Sequence, residues 1–267
     1  MSLVCGGVVI FLAALLAALA PIIAPHDPLA QDIQHLQAPP SHQHLLGTDD
    51  LGRDILSRAL YGMRLSLLVG VLATALAVII GSPFGLVTGY AGRWLDAVFM
   101  RFVDAMLAFP GVLLALLLVA TIGPSMVTLV VALGVSYAPL FARTLRGATL
   151  VEREKEYVLA AVACGSTAVQ IVKRHILPNI AYVLWVQGTL TMGLAVLSEA
   201  TLSYLGVGAP PEVPSWGRMI LEGRPILEIA PYLTLVPLVA VSGTILGFNL
   251  LGNGLADVSD PRLRGAG

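Results

Sequence analysis

The chain has 267 residues, is 57% hydrophobic and 12% charged, and carries a formal net charge of −1. Soluble domains are closer to half apolar and a quarter charged, so this is the profile of an all-α integral membrane protein. The near-neutral balance excludes an electrostatic nucleic-acid binder. The two cysteines, Cys5 and Cys164, exclude a disulfide framework and read as small packing residues.

The first element is LVCGGVVIFLAALLAALAP. It resembles a signal peptide down to Ala18-Leu19-Ala20, but no Lys or Arg precedes it and the apolar run has the length of a span. It reads as an uncleaved transmembrane helix. About twenty apolar residues cross the hydrocarbon core, and six stretches qualify: 3–23, 65–90, 105–122, 125–142, 179–205 and 231–251. Gly123-Pro124 divides the third from the fourth.

Between the first two spans, Gly47–Arg64 places Leu51, Ile55, Leu56, Ala59 and Leu60 on one face and Arg53, Asp54 and Arg58 elsewhere. The pattern predicts an interfacial amphipathic helix, serving a gate, a partner contact or simple surface anchoring. The predicted division is therefore 1–64, the first helix with this segment, and 65–267, the remaining five helices. His26, His35, His42 and His44 lie in the same loop; His42-Gln-His44 reads as solvated side chains, and no metal site is expected.

Further along, Asp104 and Glu199 sit within or near spans three and five. Ionisable groups at membrane depth face a polar interior or a partner. Arg101 and Asp104, spaced i, i+3, predict a local ion pair. For Glu199 the expected role is a helix-packing or loop-anchoring hydrogen bond. Gly206–Arg224, proline-rich and carrying Trp216 and Arg218, predicts an ordered loop with a docking surface.

Residues 143–178 stay out of the bilayer. They hold Arg143, Arg146, Glu152, Arg153, Glu154, Lys155, Glu156, Lys173 and Arg174. At roughly 3 kcal/mol for each charge at a helix centre, a crossing is prohibitive. Val158, Ala161, Val162 and Gly165 share one helical face, and Val169, Val172 and Ile176 another. Gly165 suits a left-handed helix end, Ser166 an N-cap, and Pro178 the first turn of span five. With the N-terminus cytoplasmic, ten Lys and Arg fall inside: Arg93, Arg101, Arg143, Arg146, Arg153, Lys155, Lys173, Arg174, Arg262 and Arg264. Five fall outside: Arg53, Arg58, Arg64, Arg218 and Arg224. That excess predicts both termini, and this helical knuckle, in the cytoplasm.

The segment YVLAAVACG…HILPN resembles the cytoplasmic "EAA" loop of ABC-importer permeases. Ala160, Ala161, Gly165, Leu177 and Pro178 fall on the family pattern; Leu159 stands where its Glu would be and His175 where its Ile would be. HLLGTDDLGRDILSRALYGMRLSLLVG (44–70), MRFVDAMLAFPGVLLAL (100–116) and SEATLSYLGVGAPPEVPSWGRMI (198–220) resemble the C-type subunit of dipeptide, oligopeptide and nickel permeases.

The resemblance implies a type I importer fold in a bacterial inner membrane. It implies a second permease, two ATPase domains on separate or fused chains, and an extracytoplasmic binding protein. The coupling loop would be Glu156, Tyr157, Ala160, Ala161, Gly165, Ser166, Leu177 and Pro178. Arg53, Asp54, Trp216 and Arg218 are candidates for the gate or the binding-protein contact. No GxxxxGK[ST], HExxH or GxSxG pattern occurs. ATP and magnesium are thus expected on the partner ATPases, with no cofactor on this chain. The substrate reading is short peptides, with nickel as the alternative. A stand-alone ion-coupled transporter lacks the expected internal repeat, and an intramembrane hydrolase lacks a histidine in its spans.

Overall fold

In lipid a helix gains little from apolar surface alone, so small residues decide where helices touch. The computed structural model describes residues 1–259 of the chain. Its first helix, α1 (Ser2–Ile23), buries only Gly6, Ala13, Ala17 and Ala20. That stripe packs against the last helix, α10 (Tyr232–Ser259). The backbones approach so closely that a Cβ on Gly6 would lie 2.3 Å from the Leu251 nitrogen.

The central element is α2 (Ile55–Ala91), 37 residues and about 55 Å long. Asp54 caps it by accepting from the Ser57 amide. It packs on α5 (Met126–Glu152) and α8 (Leu177–Tyr204). Gly81 and Gly85, one turn apart, let α5 in: added Cβ atoms would lie 2.1 Å from the Ala138 oxygen and 2.5 Å from the Ala142 oxygen. Leu65, Val69, Ala73, Leu129, Leu133 and Phe141 fill the core beside this crossing.

The expected interfacial helix at Gly47–Arg64 is corrected by α2. Residues 47–54 form a loop closed by an isolated bridge between Thr48 and Asp54. From Ile55 onward the segment is the start of α2, which passes residues 64 and 65 without a break. Its apolar face is turned not to lipid but to α9 (Trp216–Gly223) and α10, which bury Ile55 and Ala59.

The expected third span, 105–122, is two helices. Amphipathic α3 (Arg93–Leu107) and apolar α4 (Gly111–Ile122) meet at 84°, with Pro110 at the break. Twelve residues reach about 18 Å, too short for a hydrocarbon core of about 30 Å. Acids tie α3 to α5: Asp104 pairs with Arg143 at 2.6 Å, and Asp96 accepts from Arg146 Nε and Nη2, the latter at 2.6 Å. Asp104 therefore binds across helices, and its expected partner Arg101 is replaced by Arg143. The helix α5 itself continues beyond residue 142 to Glu152. Gly123, at φ +106°, ends α4, and Ser125 caps α5.

Among the described residues, five helices are long and apolar enough to cross a bilayer: α1, α2, α5, the continuous rod Ala168–Tyr204, and α10. Counting bent α3–α4 as one more, the chain crosses up to six times. Arg262 and Arg264, part of the charge balance, lie outside the described residues.

Candidate functional site

At one end of the bundle a knuckle joins α5 to α8. Arg153 anchors its root by donating to the Gly89 oxygen of α2 at 3.0 Å. The short helix α6 (Glu156–Ala163) ends in a Schellman motif: the Gly165 amide donates to the Val162 oxygen, and the Ser166 amide to the Ala161 oxygen. Gly165 sits at φ +82°, as that motif requires.

The next helix is capped by Thr167, not by Ser166. Thr167 and Gln170 form a reciprocal capping box that opens α7 (Ala168–Ile171). The T-x-x-Q pattern was present in the sequence; the N-cap is one residue later because Ser166 is taken by the Schellman turn.

Nor does the chain restart at Pro178. A stretch of π-helix, Val172–Ile176, fuses α7 to α8, and the Leu177 amide reaches back to the Val172 oxygen. Proline lacks an amide and crowds the carbonyl four residues earlier, so one wider turn absorbs it. Pro178 still occupies the first turn of α8. Leu177 is half-buried beside it.

Val158, Ile171, Ile176 and Ile180 form a small core under the knuckle, with Leu86 and Tyr90 of α2 against it. This ties the knuckle to three helices. The predicted apolar faces divide differently: Val158 and Ile176 point inward, whereas Val162 and Val169 are exposed. Leu159, in the family's Glu position, is exposed with them, as is Ala160; Ala161 is half-buried. Glu156 begins α6 on the exposed side. The Tyr157 hydroxyl donates to Glu152, itself paired with Lys155 at 2.8 Å. Burial first, and that hydrogen bond second, push the Tyr157 phenol up to about 12.

The opposite end carries a buried ionic cluster. Arg58 donates to Asp49 at 2.7 Å and Glu222 at 2.8 Å; Arg53 reaches the same two acids at 2.7 and 3.0 Å. Arg218 completes the cluster on Glu222 at 3.1 Å. Burial and the neighbouring Asp49 and Glu222 charges hold the Asp50 carboxyl above its ordinary range.

Of the four residues expected at a gate or binding-protein contact, three are enclosed by the chain itself. Arg53 and Asp54 are buried, and Trp216 is 0% exposed, its indole donating to the Ala59 oxygen at 2.9 Å. Their side chains hold the loops to α2; Arg218 alone of the four stays partly exposed. Sequence offered no signal that Glu222 would meet Arg53 and Arg58, which lie 169 and 164 residues away. His42 is exposed as expected, but His44 is buried.

Glu199 lies wholly buried, accepting from Ser66 at 2.6 Å and Ser203 at 2.8 Å. Ser203 in turn accepts from the Ala209 amide, so the loop-anchoring role expected of Glu199 is what the geometry provides.

A family model described as "binding-protein-dependent transport system inner membrane component" matches residues 81–265. The chain belongs to that family. A second model, the N-terminal TM domain of oligopeptide transport permease C, matches residues 2–40. The chain is 40% identical to a dipeptide transport system permease protein of Alkalihalophilus pseudofirmus, covering 94% of this chain and 82% of the relative. It is 40% identical to a glutathione transport system permease protein of Pectobacterium atrosepticum, over 98% and 87% of the two chains. A Haemophilus influenzae dipeptide permease shares 38%, over 97% and 90%. The fold resembles a chain in inward-facing conformations of the MetNI methionine ABC transporter, with TM-score 0.59 and 22% identity. That match covers 79% of this chain and 95% of the other. As a member of this family, the chain is a multi-pass permease of a bacterial membrane and a subunit of an ABC transporter, working with the transporter's other subunits.

Proposed function

We propose that the chain is one of two permeases of an ATP-driven importer of short peptides, with its knuckle in the cytoplasm gripped by an ATPase. The observation that carries this is the knuckle itself. Leu159, Val162 and Val169 stand exposed at 56%, 51% and 63% on an element whose inner face is locked to α2, α5 and α8. An apolar face on a rigid turn suits a partner's groove, and movement imposed there turns the attached helices as bodies. ATP binding by the partner would then bias the inward- and outward-open populations.

Two ATPase domains, on one chain or two, supply the nucleotide and magnesium, since the sequence has no phosphate-binding loop of its own. An extracytoplasmic binding protein delivers substrate at the opposite end. The peptide substrate is supported by relatives named for dipeptide and glutathione transport.

The exposed Cys164 at the tip provides a direct test of sidedness. In a Cys5→Ala background, a membrane-impermeant maleimide should label inside-out vesicles and spare right-side-out ones. The reverse pattern removes the coupling role. Proteoliposomes holding the complete transporter should take up labelled dipeptide only with ATP and binding protein; uptake competed by nickel chelate and not by peptide would reassign the substrate.

A further inference from the structure

We propose that His26, His44 and Asp54 form a binding site for a divalent transition-metal ion of the zinc class. The three residues come from separate places in the chain: His26 follows the end of α1, His44 lies in the connecting loop, and Asp54 caps α2. Folding brings their ligand atoms within 4.8 Å of one another. Two imidazole nitrogens converge on one carboxylate oxygen: His44 Nδ1 lies 3.0 Å and His26 Nδ1 3.7 Å from Asp54 Oδ1. Zinc bonds to nitrogen and oxygen of about 2.0–2.2 Å place neighbouring tetrahedral ligands about 3.3–3.5 Å apart. The two distances fall on either side of that edge, and the two histidines lie within 4.8 Å of each other, so small shifts would bring the three ligands onto one ion.

The charge environment supports a cation here. The Asp54 side chain is 0% exposed, and among the described residues only histidines lie within ion-pair distance of it. A buried carboxylate without a cationic partner is costly. The neighbouring group Asp49, Asp50 and Glu222 also has convergent oxygens, but Arg53 and Arg58 neutralise it. Asp54 has the Ser57 amide and hydroxyl and the two histidines, but no Arg or Lys.

The ligands are also oriented in advance. Asp54 divides its oxygens: Oδ2 accepts from the Ser57 amide and hydroxyl at 2.8 and 2.7 Å, leaving Oδ1 for the histidines. The His26 amide donates to the Ser57 hydroxyl oxygen at 3.1 Å, holding that residue in place. Asp32 and His35, bonded to each other at 2.7 Å, place ligand atoms within 4.8 Å of one on His44. Two imidazoles and one carboxylate suit zinc, and also nickel or copper, over calcium or magnesium, which take more oxygens. The His26 side chain is 40% exposed, which opens an entry path and a fourth position for water. A bound ion would staple the end of α1 to the start of α2.

The test uses the full chain, free of any affinity tag, purified in detergent and stripped with a chelator. Zinc is titrated by calorimetry, and cobalt, as a spectroscopic probe, by visible absorption. The expected result is a single ion per chain and a tetrahedral cobalt spectrum that zinc displaces. His26→Gln, at a half-exposed position that folding tolerates, should weaken zinc by at least ~10-fold. His42→Gln, outside the cluster, should leave affinity unchanged. Zinc should raise the melting temperature of the parent chain but not of His26→Gln. Failure of the parent chain to bind zinc, or equal affinity in His26→Gln, overturns the proposal.

Discussion

The Glu199 carboxylate of α8 and the Ser66 hydroxyl of α2 are joined by a 2.6 Å hydrogen bond in a fully buried site. The same carboxylate holds Ser203, which holds the Ala209 amide, so one side chain links two helices and a loop. Glu199→Ala strands two buried hydroxyls and should cost about 1–3 kcal/mol. Glu199→Gln keeps an acceptor and should cost less. Melting of the purified chain in detergent checks both, and an unaltered transition in the alanine variant would disprove the link.

Arg58 is 2% exposed and spans Asp49 and Glu222. Its removal leaves buried Asp49 with Arg53 alone and partly buried Glu222 with Arg53 and Arg218, so Arg58→Met should cost about 3 kcal/mol. Pairing it with Glu222→Leu removes one stranded charge and should restore part of that loss. A double-mutant cycle measures the coupling; strictly additive effects would contradict a shared network.

At Gly165 nothing lies within 4 Å of an added Cβ, so only the backbone resists substitution. With φ at +82°, Gly165→Ala should cost about 1 kcal/mol, and Gly165→Asn less, because asparagine tolerates the left-handed region. A bulky Gly165→Leu adds a branched chain at the exposed tip. It should leave ATP hydrolysis by the complex in place while peptide uptake falls. Uptake and hydrolysis measured in the same proteoliposomes decide the matter; full coupling in that variant counts against docking.

Tyr157 gives the knuckle a pH dependence with a defined sign. The phenol holds its proton more tightly folded than unfolded, pushed up to about 12 from an ordinary 10.0. Its contribution is therefore complete below pH 10 and lost as pH rises to about 12. Tyr157→Phe removes the donor to Glu152 and should flatten this alkaline decline. Alkaline unfolding curves of the two proteins, compared over that window, provide the check.

The sequence by itself determined the features that each segment settles alone. Apolar length marked α1 and α10 as spans, and Gly123 and Gly165 punctuated the chain where they stand. These depend on local backbone freedom and on transfer from water to lipid, which a one-dimensional reading captures. Pro110 was equally visible, yet the apolar run around it masked the 84° turn, because hydropathy does not register direction. Tertiary structure decided which faces met. Arg58 looked solvent-facing until Glu222, 164 residues away, came to cover it, and Trp216 looked outward until Ala59 received its indole. The convergence of His26, His44 and Asp54 had the same origin: a buried polar group is partnered by whatever the packing of helices brings beside it, and that packing is a property of the whole bundle.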